Sequence, residues 1–213
     1  KDKVRVIANL YPEDMHLVLA KGVKLNSLKD LEGKRVGVAA AGSGTQVSVK
    51  MILKHYGINA KQAELNLGQS TQRLADGQLD AFFYAGGWPF AALIQLGSTK
   101  GFDLYTFKKD EVKAINSIIP YYVPSTIPAG GYENIKYDVT TVAVNGQLVT
   151  NVDQPADLIY GITKALWSKK TRGLLDKGHS KGKQIRLETA LTGVLIPLHP
   201  GAAKFYKEKG MIK

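Results

Sequence analysis

Cysteine is absent from this chain. Its absence excludes a disulfide scaffold, a metal site built on thiolates and a cysteine nucleophile. It does not assign a compartment, because proteins without cysteine occur in both reducing and oxidising surroundings. The sequence opens with Lys1-Asp2-Lys3 directly before the apolar, strand-like segment 4–8, so an initiator methionine and a signal peptide are expected upstream of it.

Acidic residues are few in the last quarter of the chain. The 213 residues carry 29 lysines and arginines against 18 aspartates and glutamates, a net charge of +11. Residues 164–213 hold 12 of the basic and 3 of the acidic residues (+9), whereas the preceding 163 hold 17 and 15 (+2). This basic tail is compatible with a nucleic acid or an anionic surface as partner, and equally with a solvated lysine face. Interleaved aromatic residues or a known nucleic-acid motif would favour the first interpretation, and neither is present.

Charge is missing altogether from two stretches, 81–99 and 114–132. Each is long enough to cross a membrane. Both contain helix breakers, however, among them Gly86, Gly87 and Pro89 in the first and Pro120 and Pro124 in the second. The sequence therefore predicts buried strands and loops in both stretches.

Hydrophobic residues make up 44% of the chain, which is enough for a core. Segments typical of strands alternate with segments of helical periodicity, and this βαβα rhythm predicts an α/β fold with a parallel or mixed sheet. The predicted strands are 35–39, 64–67, 79–84, 102–107 and 139–144. The predicted helices are about 45–56, 68–76, 90–96, 110–118, 156–169, 188–194 and 201–209.

The sharpest local pattern is the turn from Ala39 to Thr45, where a strand ends and a helix begins at Ser43 and Thr45. Backbone N–H groups at such a helix start, together with two hydroxyls, can hold an anion. An ordinary N-cap with glycines in a tight turn explains the same residues. The segment departs from the Walker A, dinucleotide-binding and nucleophile-elbow patterns.

A second strand-to-helix turn contains Tyr84-Ala85-Gly86-Gly87-Trp88. Ligands of open α/β sheets lie beyond the carboxyl ends of the strands, so this turn is a candidate ligand site. The alternative is that Trp88 packs in the core and the glycines only turn the chain. The proline-containing segments 120–123 and 127–132 similarly suggest either a hinge between domains or stiff surface loops.

Catalytic and metal-binding patterns do not stand out. The four histidines lack the spacing of metal ligands, and no pair of carboxylates is placed for acid–base chemistry. His16 is predicted to pack or accept a hydrogen bond within a strand, and His199 is predicted to be structural. Asp80 is predicted to satisfy backbone groups.

Taken in order, several segments resemble the entry to the second lobe of periplasmic solute-binding proteins, and together they are similar to the TAXI family, the TRAP-associated extracytoplasmic immunogenic receptors. The matching segments are 10–13, 16–18, 28–36, 42–45, 80–83, 120–122, 127–132 and 196–202.

The resemblance implies a periplasmic-binding-protein type II-like fold of two lobes that close on a ligand, with no catalysis and no cofactor. It implies delivery of a small carboxylate, glutamate-like or dicarboxylate, to the membrane subunits of a TRAP transporter, outside the cytoplasm. The Gly42–Thr45 turn matches the carboxylate-binding turn of the family. The residues expected to bind ligand are Tyr11, Gly42, Ser43, Gly44, Thr45, Gln46, Tyr84, Ala85, Gly86, Gly87 and Trp88.

On this resemblance, lobe two is complete at 34–137, and lobe one is partial, made of 1–33 and 138–213. Family members carry about a hundred further residues before the point where this chain starts, the size of a small domain. The expectation is therefore a truncated form that binds ligand weakly alone and forms a homodimer or exchanges strands. Two other functions stay open: a nucleic-acid or anionic-surface binder, and an enzyme on the same bilobal fold.

Overall fold

The computed structural model describes residues 2–213, which form strands and helices in alternation. The strands are β1 (Val4–Ala20), β2 (Arg35–Gly37), β3 (Lys61–Ala63), β4 (Ala81–Gly86), β5 (Phe102–Leu104), β6 (Val123–Ile127) and β7 (Val139–Asn151). The helices are α1 (Gly44–Tyr56), α2 (Leu67–Ala75), α3 (Ala91–Thr99), α4 (Lys109–Ile118), α5 (Ala156–Leu166), α6 (Lys169–Lys177) and α7 (Pro200–Glu208). Short 3-10 helices lie at Leu28–Leu31, Ser180–Gln184 and Leu187–Thr189.

The chain divides into two compact units. Unit 1 consists of the residues up to Pro12 and of Asn145–Lys213, and unit 2 consists of Glu13–Val144. The chain passes from one unit to the other within β1 and again within β7. The first division lies earlier than residue 33, where the sequence predicts it, because the second half of β1 is paired with strands of unit 2.

The segment 120–123, a predicted hinge, does not connect the units. It lies inside unit 2 and leads from α4 into β6. Its backbone is held there, because the N–H of Tyr122 donates to the Ile119 carbonyl at 3.0 Å and the Asn116 amide donates to the Tyr122 carbonyl. The passage between the units is made by β1 and β7 instead.

The sheet runs in the order β3-β2-β4-β1-β7-β6, and β5 also pairs with β1. Strand β2 is parallel to both β3 and β4, whereas β1 is antiparallel to β4 and β5, and β6 is antiparallel to β7. The architecture is therefore mixed α/β, and the fold class predicted from the sequence is confirmed.

Helices cover both faces of the sheet in unit 2. Successive side chains of a strand point to opposite faces, and on β1 Met15 and Leu17 join the core beneath α1 and α4, whereas Val18 joins the core beneath α2 and α3. Strand β4 divides in the same way, with Phe83 on the α1 face and Phe82 on the α3 face. These near-continuous apolar runs are what a sheet covered on both faces requires.

In unit 1, α5 and α7 pack together around Ile159, Ala202 and Phe205. A Cβ atom on Gly201 would lie 2.1 Å from the Ala156 carbonyl oxygen, so the glycine is what permits this close approach. Beside them, the Tyr206 hydroxyl donates to the Ile7 carbonyl at 3.0 Å and accepts from Trp167 Nε1 at 3.1 Å.

Across residues 2–213, no helix combines the length and the apolar character that a membrane crossing requires. The two uncharged stretches of the sequence instead fold as β4 and α3, and as the end of α4 with β6 and its flanking turns. Within them Phe82, Phe83 and Leu93 are fully buried.

Candidate functional site

Two turns follow neighbouring strands of the sheet in unit 2. Strands β2 and β4 are parallel neighbours, with Val36 opposite Ala81 and Gly37 opposite Phe82. Both strands therefore run toward the same edge of the sheet. There β2 leads into the turn before α1, whereas β4 continues past Phe82 to Gly86 before the turn into α3. This edge is where open α/β sheets bind ligands.

The turn before α1 has an unusual backbone. Ala39 has a φ of 70°, the only positive φ of a non-glycine residue in 2–213, and its carbonyl accepts from the Leu65 N–H at 3.1 Å. Gly42 has a φ of 75°, a conformation that glycine adopts at little cost. A Cβ atom on Gly42 or Gly44 would meet no atom within 4 Å, so the backbone here can be approached closely.

At the start of helix α1, some of the backbone N–H groups donate to Ser43. Ser43 is the N-cap, and its Oγ accepts from the Gln46 N–H at 3.1 Å. The Val47 N–H donates to the Ser43 carbonyl at 3.2 Å. The N–H groups of Gly44 and Thr45 have no acceptor among residues 2–213. Two adjacent N–H groups at the positive end of a helix dipole form an anion-binding arrangement.

The buried side chain of Gln46 stabilises this turn through a hydrogen bond to its backbone. Its side chain is 5% exposed, and its Oε1 accepts from the Gly42 N–H at 2.9 Å. Its Nε2 is buried and completes no hydrogen bond within the described residues. The pKa of Glu64 is lowered first by its hydrogen bond from Lys50, at 2.9 Å, and also by the Gln46 amide, so Nε2 lies within electrostatic reach of that carboxylate. The Gln46 side chain thus holds the turn through Gly42 and acts on the carboxylate of Glu64.

The turn between β4 and α3 is packed with aromatic rings. Phe90 lies 5.0 Å from both the Tyr84 and the His16 ring centroids. Tyr84 and Trp88 pack against the core beneath α2 and α3, while Ala85 packs against the core beneath α1. Trp88 Cζ3 would lie 3.4 Å from a Cβ atom on Gly131. Tyr84 and Ala85 thus lie on opposite faces of the sheet, and only Ala85 shares the face of α1.

The predicted ligand-binding residues are divided between the two units. Those of the two turns lie in unit 2, whereas Tyr11 lies on β1 in unit 1, two residues before the chain enters unit 2. Tyr11 is half-buried. Within unit 2, Gly42–Gln46 form one local arrangement around the α1 start.

A family model described as NMT1-like matches residues 1–210, nearly the whole chain. The chain belongs to the NMT1-like family. Among solved structures, it is similar to a protein from Bordetella bronchiseptica RB50, at 14% identity over 99% of this chain and 60% of that one, with a TM-score of 0.47.

Two further solved structures that resemble the NMT1-like chain contain a bound ligand. One is an ancestral arginine-binding protein bound to glutamine, at 22% identity over 82% of this chain and 61% of that one, with a TM-score of 0.46. The other is the GluR0 ligand-binding core with L-glutamate, at 11% identity over 87% of this chain and 65% of that one, with a TM-score of 0.47. The chain thus spans about 60% of the length of the first structures that it matches.

His16, His199 and Asp80 of the NMT1-like chain serve its fold. His16 is buried, with Nδ1 2.9 Å from the Asp14 carbonyl and Nε2 3.1 Å from the Tyr132 hydroxyl, and His199 caps α7 through the Gly201 N–H; both predictions are confirmed. Asp80 accepts from the Arg35 N–H at 2.8 Å, which confirms that it satisfies a backbone group. In the described part of the chain, no three His, Cys, Asp or Glu residues are grouped so that they could hold a metal ion.

Three residues at this edge were not among the predicted ligand-binding residues: Glu13, Ser48 and Tyr122. The Ser48 hydroxyl donates to the Gly44 carbonyl at 3.1 Å, inside the first turn of α1. Tyr122 is fully buried, and burial raises its pKa; a hydrogen bond with the Ser48 hydroxyl lowers the pKa, and Tyr121 and Glu13 raise it to a smaller extent. Glu13 lies in the middle of β1, and its effect on Tyr122 is visible only in the fold.

Proposed function

We propose that this NMT1-like chain is part of an extracytoplasmic solute-binding receptor that captures a small carboxylate without chemical conversion. The observation that carries the proposal is the start of α1, where the N–H groups of Gly44 and Thr45 have no acceptor within residues 2–213. A carboxylate has two oxygens that match two adjacent donors, and its charge is favoured at a helix N-terminus.

The resemblance to TAXI receptors supports a TRAP-type transporter as the membrane partner.

A receptor needs a binding site on a rigid scaffold, and α1 provides one, since it is capped at both ends and packed through Val49, Ile52 and Leu53. Thr45 adds a half-buried hydroxyl beside the two N–H groups. Glutamate-like acids and dicarboxylates are the ligands that we propose for this site.

Isothermal titration of the native protein with glutamate, glutamine, 2-oxoglutarate and C4-dicarboxylates tests the proposal. We expect at least one of these acids to bind, and Thr45→Leu to weaken that binding at least tenfold, about 1.4 kcal/mol, because the larger side chain covers the N–H groups. The matched control is Val47→Leu on the same helix, where the side chain is already 52% exposed and the affinity should not change.

Two results would count against the site. Absence of binding by all of these acids would refute the carboxylate receptor. An unchanged affinity in Thr45→Leu would show that Thr45 is not part of the site. Far-ultraviolet circular dichroism of both variants checks that α1 and the sheet remain folded.

A further inference from the structure

A cavity of about 260 Å³ lies in unit 1, where α5 ends and α6 begins. Its apolar wall consists of Leu166, Trp167, Ile185 and Leu187, of which Ile185 is buried and the others are half-buried. Every residue that lines the cavity belongs to unit 1, whereas the carboxylate site proposed above lies in unit 2. The cavity is therefore a separate candidate site.

Hydrogen bonds fix the polar wall of the cavity. The Arg172 guanidinium donates from Nη2 to the Gly182 carbonyl at 2.6 Å and from Nη1 to the Ile185 carbonyl, so it ties α6 to the segment that follows it. On that segment, Arg186 Nε donates to the Lys183 carbonyl at 2.7 Å. Walls held in this way form the cavity before any ligand arrives, as is usual for sites that bind small molecules.

The indole of Trp167 is held in place as well. Its Nε1 donates to the Tyr206 hydroxyl at 3.1 Å, and that hydroxyl donates to the Ile7 carbonyl at 3.0 Å. The single polar atom of the indole thus already has its partner. What Trp167 contributes to the cavity is therefore apolar ring surface.

The charged side chains that line the cavity are three cations and one carboxylate, Lys169, Arg172, Arg186 and Glu188. Asp176 binds Arg172 at 2.7 Å and lies 3.5 Å from Arg186, so it offsets part of this positive charge. Lys169 is exposed and has no ion-pair partner within residues 2–213. Its ammonium group is therefore available to an anion beside the apolar wall.

We propose that this cavity binds a small organic anion with a compact apolar body. The apolar body lies against Trp167 and Leu187, where its removal from water favours binding, and the anionic group meets the Lys169 ammonium. The volume is below the roughly 300–1,000 Å³ of sites for drug-sized ligands, so the ligand is a single ring or a short chain. This site does not depend on the carboxylate site of unit 2.

Three probes that share parts of one structure test the site by isothermal titration of the native protein. Cyclohexanecarboxylate carries the ring and the charge, cyclohexylmethanol carries the ring alone, and acetate carries the charge alone. We expect cyclohexanecarboxylate to bind at least tenfold more tightly than either of the others, because each of them lacks one of the two contacts. Absence of binding by cyclohexanecarboxylate would overturn the proposal, and so would an equal affinity for either of the other probes.

The variant Lys169→Gln removes the available cation and leaves the apolar wall in place. We expect it to weaken the binding of cyclohexanecarboxylate at least fivefold and to leave that of cyclohexylmethanol unchanged, since only the acid loses an ion-paired hydrogen bond. The matched control is Lys170→Gln, because this neighbouring lysine is exposed and lies outside the lining of the cavity. An affinity for the acid that Lys169→Gln leaves as in the native protein contradicts the proposed site.

The emission of Trp167 locates the bound probe. In Trp88→Phe, Trp167 is the one remaining tryptophan, and we expect its emission to change as cyclohexanecarboxylate binds. Thr45→Leu should bind this probe with the native affinity, because Thr45 lies in unit 2. Binding that leaves the Trp167 emission unchanged, or that is lost in Thr45→Leu, would place the probe elsewhere and refute this use of the cavity.

Discussion

At the scale of single residues, Asp80 and Arg35 form the most completely bonded ion pair of unit 2. Arg35 donates from Nη2 to Asp80 Oδ1 at 2.6 Å, from Nε to Oδ2 at 3.2 Å, and from Nη1 to the Gly77 carbonyl at 2.7 Å. The pair holds the start of β2 to the loop that precedes β4. The hydrogen bond from Arg35 lowers the pKa of Asp80 below the usual 3.8, against the opposing effect of burial.

The lowered pKa predicts a pH dependence of folding. A carboxylate whose pKa is lower in the folded than in the unfolded protein stabilises the fold fully above the unfolded value, and this contribution is lost as the pH falls through the folded value. We expect Asp80→Asn to lower the urea midpoint near neutral pH, and this difference from the native protein to shrink well below pH 3.8. Arg35 is half-exposed, so solvent screening keeps the effect modest.

The control for this prediction is Glu133→Gln, an exposed carboxylate in the connection between β6 and β7. Its midpoint should follow the native protein across the acid range. A difference between native protein and Asp80→Asn that stays constant from neutral to acid pH would contradict the assignment of the effect to this carboxylate.

Residues with local functions were the ones that the sequence could predict. The Ser43 cap and the backbone bond of Asp80 depend on neighbours in the chain or on the next strand, and both are present. The half-burial of Glu13, which raises its pKa, depends on residues that are distant in the chain. Such burial is a property of the folded unit, and no pattern in a single sequence predicts it.

At the scale of elements, the crossing of α5 and α7 depends on one glycine. A Cβ atom on Gly201 would lie 2.1 Å from the Ala156 carbonyl oxygen and 2.7 Å from the Tyr160 nitrogen, both backbone atoms that cannot move aside alone. Gly161, in the middle of α5, has no atom within 4 Å of the corresponding position. The two glycines therefore have opposite sensitivities to a methyl group.

We expect Gly201→Ala to destabilise unit 1 by about 1–3 kcal/mol, because overpacking forces the two helices apart. Gly161→Ala should instead stabilise it by about 0.5–1 kcal/mol, because glycine is a poor helix former. Urea unfolding followed by circular dichroism at the helix band measures both. Equal midpoints for the two variants would show that the helices do not meet at Gly201.

Element boundaries show what periodicity alone misses. The helix predicted over 156–169 ends at Leu166, and α6 begins anew at Lys169, because the Ser168 hydroxyl accepts from the Thr171 N–H and caps a second helix. The strand predicted at 64–67 lies earlier, at Lys61–Ala63, since the backbone there pairs with β2. The position of a short strand depends on the strands that pair with it, whereas the starts of α1 and α7 are marked in the sequence by their capping residues.

At the scale of the whole molecule, the basic tail is partly occupied with unit 1 itself. Arg172 donates to Asp176 at 2.7 Å and to the Gly182 carbonyl at 2.6 Å. Lys204 lies 4.9 Å from the centroid of the Tyr160 ring. These contacts use two of the twelve basic groups for internal packing, and the remaining net positive charge attracts anionic polymers without reading their sequence.

We therefore expect duplex DNA to bind only weakly and without sequence preference, with an affinity that falls at least tenfold between low and physiological salt. Fluorescence anisotropy of a labelled duplex, titrated at several salt concentrations, measures this. A complex in the nanomolar range that persists at physiological salt would instead favour a nucleic-acid function, since specific protein–DNA complexes reach about 10⁻⁸ M or tighter there.

The two tryptophans of the chain lie in different units, Trp167 beside Tyr206 in unit 1 and Trp88 against the α3-side core in unit 2. Each unit thus carries its own fluorophore. With one indole replaced by phenylalanine, the emission of the other reports on a single unit. The ligand capture proposed for unit 2 and the unfolding of unit 1 can then be followed as separate optical signals from one polypeptide, without any attached dye.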